Sequence, residues 1–170
     1  MSRDVNTHGR FLNGSIQALV GAIVLSTPLT AAAQSSNAQP HCIQVGGTVM
    51  TNFLDANTTL GTATGDLAGA VSATLLGASP GSNGTLVFSV QHHWVTAAGD
   101  TILMDVARAT SLETQPGSFA ILSYPVVITG GTGRFDGANG RLQNIGAVDL
   151  DSQRTVFRYE GEVCFPASSR

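Results

Sequence analysis

The sequence predicts an all-β protein of seven or eight antiparallel strands. After residue 40, every segment is short and rich in Val, Ile, Thr and Phe, and Gly, Asn, Asp or Pro separates it from the next. No segment has the apolar stripe of an amphipathic helix. Short turns favour antiparallel pairing of successive strands, so we expect a meander that closes into a barrel or folds into a sandwich.

The first 33 residues have the build of a cleavable signal peptide. Arg3 and Arg10 lie in a polar leader, an apolar run covers residues 16–25, and small residues end at Ala33, after which we expect cleavage. The apolar run is shorter than the ~20 residues that a membrane-spanning helix needs. We therefore predict a secreted or periplasmic protein with no membrane anchor after cleavage.

The mature chain is expected to comprise a flexible N-terminus at residues 34–40 and one β-barrel domain at residues 41–166. It holds six Arg, no Lys and ten acidic residues, which gives a formal charge of −4. The arginines are scattered singly, whereas a nucleic-acid backbone is held by clustered cations. The composition therefore excludes nucleic acid as a partner.

The two cysteines, Cys42 and Cys164, lie near the two ends of the mature chain. In an oxidising compartment we expect them to form a disulfide, which by the loop-entropy relation contributes roughly 4 to 5 kcal/mol. In a closed barrel the first and last strands are neighbours, so this bond would lock the seam. No metal site is predicted, because adjacent residues such as His92 and His93 point to opposite faces of a strand.

The strands are expected in a regular series, and alternation assigns their faces. The candidates cover residues 42–53, 66–76, 85–96, 101–111, 119–129, 140–150 and 155–165, with a further short strand near 58–62. In the third of the long strands one face carries Leu86, Phe88, Val90, His92 and Trp94. In the last strand, Phe157, Tyr159 and Val163 oppose Arg158, Glu160 and Glu162, so one face there meets water.

Asp105 and Tyr124 are the two candidate ligand-binding residues. Asp105 shares its predicted face with Leu103 and Ala107, so it is a desolvated acid or base if that face lines the interior, and a solvated surface charge if it does not. Tyr124 falls among Leu122, Val126 and Ile128, which predicts a buried ring whose hydroxyl needs one partner. No catalytic triad or phosphate-binding loop accompanies them.

A short pattern, T-G-x-apolar-x-G-A, occurs at residues 64–70 and again at residues 132–138. Paired glycines supply the positive φ and the close backbone approach that a barrel corner needs. The two copies could therefore mark equivalent corners of two half-barrels.

The segment at residues 127–140, VITGGTGRFDGANG, resembles the signature of the allene oxide cyclase barrel-like and dirigent proteins. In those families a strand runs into G-G-T-G-x-F, then x-G-A-x-G and another strand, and a looser likeness covers residues 43–163. The resemblance implies a calycin-like, eight-stranded antiparallel up-and-down barrel with an apolar cavity, no cofactor, and dimers or trimers. It implies a structural turn made of Gly130, Gly131, Thr132, Gly133, Phe135, Gly137 and Ala138, and it carries over no catalytic residue.

Three functions are compatible with this sequence. The first is an exported barrel that binds a small apolar molecule without an assignable reaction. The second, implied by the resemblance, is a cyclase or isomerase that guides ring closure or coupling of a small molecule. The third is a structural or interaction barrel with a filled interior. A cavity of a few hundred Å³ would favour the first two over the third.

Overall fold

The structure is a computed structural model that describes residues 40–167. The signal peptide and cleavage site expected within residues 1–33, and all but the last residue of the 34–40 segment, lie outside the described residues. Within the described range no helix is long and apolar enough to span a membrane. Its elements are β1 (His41–Phe53), β2 (Thr58–Ala63), β3 (Gly69–Pro80), β4 (Leu86–Thr96), β5 (Thr101–Met104), β6 (Ala107–Gln115), β7 (Ser118–Gly131), a 3-10 turn (Gly133–Phe135), β8 (Asn139–Asp149) and β9 (Arg154–Phe165).

These strands close into one antiparallel barrel. Strand β9 pairs with β1 from the His41–Phe165 pair to the Asn52–Arg154 pair, which closes the sheet. The short strands β5 and β6 both lie between β4 and β7, so they act as one strand with a break at residues 105–106. The barrel therefore has eight strand positions, which confirms the predicted eight-stranded all-β barrel and excludes the sandwich.

Most strand boundaries agree with the sequence pattern, and β3 differs most. It begins at Gly69 rather than at residue 66 and continues to Pro80, because residues 64–68 form a turn. The further short strand expected near residues 58–62 is present as β2.

Bulges change the face of two predicted positions. Asp105 and Val106 are both exposed at the break between β5 and β6, so Ala107 is buried while Leu103 is 57% exposed. The predicted common face of Leu103, Asp105 and Ala107 is therefore wrong. A register shift in β7 likewise leaves Leu122 exposed while Tyr124 is buried, so those two residues do not share a face. Each bulge adds a residue and reverses the alternation beyond it.

One end of the barrel, here called the closed end, is filled by large side chains. The connections β2–β3, β4–β5 and β7–β8 lie at this end, and the other connections lie at the opposite end, here called the mouth. Leu67 and Phe135, from the first and last of these connections, are almost fully buried, and Trp94 and Tyr159 pack edge to face with ring centroids 5.6 Å apart. These four side chains seal the closed end.

The two T-G-x-apolar-x-G-A segments form the same corner twice. Gly65 and Gly133 both have positive φ, at 87° and 57°. In each copy the fifth residue donates its N–H to the glycine carbonyl, from Ala68 to Gly65 and from Asp136 to Gly133, at 3.2 Å. The two corners thus share one glycine conformation and one hydrogen bond, and each places its apolar residue in the closed end; they differ at the second glycine, since Gly137 has a positive φ of 67° and Gly69 does not.

Tyr159 ties the first corner to the last strand. Its hydroxyl donates to the Thr64 carbonyl at 2.9 Å and accepts the Leu67 N–H at 3.0 Å. Gly47 makes this approach feasible, because a Cβ there would overlap the Thr64 carbonyl oxygen and the Tyr159 hydroxyl. The indole N–H of Trp94 donates to the Leu67 carbonyl at 2.9 Å, which fixes the same corner from β4.

The predicted disulfide between Cys42 and Cys164 is present. The two cysteines are directly opposite each other in the pairing of β1 with β9. The bond therefore cross-links the strands that close the barrel, as their positions in the sequence predicted.

Candidate functional site

The barrel encloses a cavity of about 250 Å³ between the closed end and the mouth. Every strand contributes to its wall, together with the β1–β2 loop and the turn after β8. Its polar lining consists of Thr51, Asn57, Thr59, His92, Tyr124, Asn144 and Thr155. The remaining lining is apolar: Val49, Phe53, Ala56, Val71, Ala73, Leu75, Phe88, Val90, Trp94, Met104, Ala109, Phe119, Ile121, Val126, Leu142, Val148, Leu150 and Phe157.

No Asp, Glu or Arg lines the cavity in the described part of the chain. Carboxylates lie at the mouth, Asp55 in the β1–β2 loop and Asp149 at the end of β8. Hydrogen bonds from the Asn57 and Thr58 backbone N–H groups lower the pKa of Asp55, and hydrogen bonds from Ser152 lower the pKa of Asp149. These groups stay ionised at neutral pH, so the mouth is acidic and the lumen is neutral.

A hydrogen-bonded pair, His92 and Tyr124, forms the polar centre of the lumen. The Tyr124 hydroxyl oxygen lies 2.7 Å from His92 Nε2. Burial, with a smaller contribution from His93, lowers the pKa of His92 to about 4, and burial raises the pKa of Tyr124. Both groups are therefore neutral at pH 7. Phe157 packs edge to face on the tyrosine ring at a centroid distance of 5.6 Å, which holds it in place.

Three further polar side chains of the wall bond to the protein. The Thr51 and Thr155 hydroxyls lie 2.7 Å apart, and the Asn144 amide donates to the Tyr124 carbonyl at 3.0 Å. His92 differs from them, because its Nδ1 is buried and has no hydrogen-bond partner among residues 40–167. The His92–Tyr124 pair is thus the polar pair of the lumen in which a fully buried ring nitrogen is left without a partner by the described protein groups.

The structure separates the two sequence-predicted candidates. Tyr124 is buried, lines the cavity and has one hydroxyl partner, as expected. Asp105 is exposed outside the barrel and does not line the cavity, because it continues the alternation of β5, in which Ile102 and Met104 are the buried residues. The interior position considered for Asp105 is therefore wrong.

Sequence reasoning missed His92 as the partner of Tyr124. Alternation along β4 places His92 on the inward face with Phe88 and Trp94, as predicted, but the partner is 32 residues away on β7. Strands β4 and β7 both pair with β5 and β6 but not with each other, so the contact joins two strands that are one strand position apart. No local pattern in the sequence indicates such a contact.

The glycine-rich turn lies at the closed end, and none of Gly130, Gly131, Thr132, Gly133, Phe135, Gly137 and Ala138 lines the cavity. Phe135 and Ala138 are buried there, and the Thr132 hydroxyl accepts the Thr101 N–H at 2.9 Å. These contacts fit the structural role that the resemblance implies.

Cys42, Glu162 and Cys164 also cluster in space, with candidate ligand atoms within 4.8 Å of one another. Both sulfurs belong to the disulfide, so this cluster does not offer the thiolates that a metal would need.

Fold and site together define a closed, eight-stranded antiparallel barrel with an apolar, uncharged lumen that is sealed at one end. Among solved structures, the chain is similar to a pterocarpan synthase dirigent protein at 16% sequence identity. The match covers 78% of this chain and 89% of that chain, with a TM-score of 0.36. No protein-family model and no curated protein matches the sequence.

Proposed function

We propose that the barrel binds one small, neutral and largely apolar molecule in its lumen. The observation that carries this proposal is the cavity of about 250 Å³, whose lining contains no charged side chain within residues 40–167. A solid interior, as a purely structural barrel would have, would not leave this space. An apolar cavity transfers apolar surface out of water, which favours ligands of the same character.

The volume of the cavity limits the size of the ligand. Ligand pockets commonly measure roughly 300 to 1,000 Å³, so this lumen is near the small end of that range. It suits one compact molecule. The charge at the mouth adds a second limit, because Asp55, Asp149 and Asp151 outnumber Arg154 at this end and disfavour anions.

A matched pair of fluorescent probes tests this proposal. N-phenyl-1-naphthylamine is neutral, and 8-anilino-1-naphthalenesulfonate has the same skeleton with one added negative charge. We expect saturable fluorescence enhancement with the neutral probe and at least tenfold weaker binding of the anion, because the lumen offers it no cation. Absence of saturable binding by the neutral probe would overturn the proposal.

A pair of phenylalanine variants locates the binding in the lumen. Ala109 is buried and lines the cavity, so Ala109→Phe fills part of that space and should abolish binding of the neutral probe. Ala147 is exposed on β8, so Ala147→Phe adds the same side chain outside the barrel and should leave binding unchanged. Equal effects of the two variants would place the probe on the outer surface instead.

Guided cyclisation or isomerisation in the lumen is the second candidate function. The observation that favours it is the neutral His92–Tyr124 pair within the cavity, in addition to the resemblance of residues 127–140 to the allene oxide cyclase barrel-like and dirigent proteins. Such reactions keep the mass of a substrate and change its shape. Chromatography of ligand recovered after incubation therefore separates the two functions: an unchanged retention time supports simple binding, and a new isomer supports catalysis.

We also propose that the mature protein acts outside the cytoplasm, after cleavage near Ala33. The disulfide between Cys42 and Cys164 supports this, since such bonds persist in oxidising compartments. Mass spectrometry of protein isolated from its own host tests the site, because cleavage after Ala33 leaves Gln34 as the first residue. An intact N-terminus in cell-associated protein would contradict export.

A further inference from the structure

The His92–Tyr124 pair has one hydrogen more than the described protein groups can accept. A neutral imidazole carries one N–H, and a neutral phenol carries one O–H. One of these two hydrogens fills the 2.7 Å contact between Nε2 and the hydroxyl oxygen. The other has two alternative positions, on His92 Nδ1 or on the Tyr124 hydroxyl.

The two positions of this second hydrogen differ in free energy. Nδ1 is buried and has no hydrogen-bond partner within residues 40–167, so a hydrogen there would be an unpaired donor without access to water. Such a donor is costly, because its hydration is lost without replacement. In the alternative arrangement, His92 Nε2 donates to the Tyr124 oxygen, and the tyrosine keeps its own hydrogen for a further partner.

We infer that the Tyr124 hydroxyl donates a hydrogen bond into the lumen, so that the ligand is a neutral, largely apolar molecule with one acceptor oxygen, such as a ketone, ether or alcohol. This inference rests on the proposed function, since it specifies the ligand of the same cavity. His92 is then a positioning residue: it occupies one lone pair of the tyrosine oxygen and directs the O–H away from the imidazole. Phe157 packs edge to face against the same ring and restricts its motion.

A ketone and its parent hydrocarbon test the inference by displacement of N-phenyl-1-naphthylamine. We expect 1-tetralone to bind the unmodified protein more tightly than tetralin, although tetralin is the less soluble in water. Tyr124→Phe should weaken 1-tetralone binding about tenfold and change tetralin binding less than twofold, because it removes one hydrogen bond and little apolar surface. His92→Phe retains the donor and should keep most of the preference for the ketone.

His93→Phe is the matched control, because His93 is adjacent to His92 and exposed on the outer face. It should leave both affinities unchanged. Retention of the ketone preference in Tyr124→Phe, together with its loss in His92→Phe, would overturn the inference and assign the donor to Nδ1. Failure of the neutral probe to bind at all, or of both competitors to displace it, would count against the proposed function instead.

The tautomer of His92 gives a test that needs no variant and no ligand. Long-range ¹H–¹⁵N NMR spectra of the intact protein distinguish a protonated ring nitrogen from an unprotonated one. We expect the hydrogen of His92 on Nε2. A hydrogen on Nδ1 would overturn the inference, because the Tyr124 O–H would then donate to His92 Nε2 and would not be free for a ligand.

Discussion

His92 illustrates how one residue can be both costly and useful in this barrel. An imidazole in an apolar wall loses hydration, and only one of its two nitrogens has a protein partner. A phenylalanine would fill the same space without that cost. The benefit of the histidine is the hydrogen bond that orients Tyr124, so we expect His92 to lower stability and to make a smaller contribution to ligand selectivity than Tyr124 itself.

The shifted pKa of His92 predicts a loss of stability in acid. The group binds a proton near pH 6.5 in the unfolded chain and near pH 4 in the folded protein. Between these values the unfolded state binds more protons, so the free energy of unfolding falls as the pH is lowered. We expect a loss of roughly 3 kcal/mol from this residue between pH 6.5 and 4, and none above that window.

Urea denaturation at pH 7, 5.5 and 4.5 measures this loss. His92→Phe should remove it, so the difference in unfolding free energy between this variant and the unmodified protein should widen steadily as the pH falls. Asp55 and Asp149 also titrate at the acid end, but both proteins retain them, so they cancel in the difference. A difference that stays constant with pH would show that His92 binds protons equally in the folded and unfolded states, which contradicts the lowered pKa.

At the scale of elements, corners and bulges decide which end of the barrel is closed and which side chains point inward. The two glycine corners each place an apolar residue, Leu67 or Phe135, in the closed end. The bulge in β7 reverses the alternation just before Tyr124. Strands without these corners and bulges would neither fill the closed end of the barrel nor place the present side chains on the cavity wall.

The corner held by Tyr159 gives a prediction at this scale. Tyr159→Phe removes a hydroxyl that bonds both the Thr64 carbonyl and the buried Leu67 N–H. We expect a loss of about 2 kcal/mol in the free energy of unfolding, because a buried donor is left unpaired. Urea denaturation at pH 7 with the disulfide intact measures it.

Arg158→Gln is the control for that variant, since Arg158 is the adjacent residue in β9 and its contact with Glu160 is exposed. Its effect should stay within about 0.5 kcal/mol. If Tyr159→Phe were no less stable than this control, the hydroxyl would contribute nothing to the corner.

At the scale of the whole molecule, the barrel is closed in two ways along the same seam. Backbone pairing of β1 with β9 closes the sheet, and the bond between Cys42 and Cys164 makes that closure covalent at one end. The bond spans 122 residues of sequence, so it restricts nearly the whole barrel segment, residues 40–167, when the protein unfolds.

Reduction of the disulfide should therefore lower the free energy of unfolding by about 2 to 5 kcal/mol and leave the barrel folded, because the strand pairing at the seam remains. Urea denaturation with and without reductant measures the change, and Cys42 is exposed enough for the reductant to reach it. The double variant Cys42→Ser with Cys164→Ser should already have the lower stability and should not respond to reductant. Equal stability of the oxidised and reduced proteins would contradict a stabilising role.

The sequence alone determined the all-β class, the order of the strands, the disulfide and the burial of Tyr124. Alternation and turn residues act over short distances along the chain, so the sequence shows them directly. Two cysteines allow only one intramolecular disulfide. Tertiary structure decided that Asp105 faces outward and that His92 meets Tyr124. The first depends on which face of β5 meets the core, which alternation alone leaves open, and the second on the curvature of the barrel, because β4 and β7 are one strand position apart and do not pair with each other.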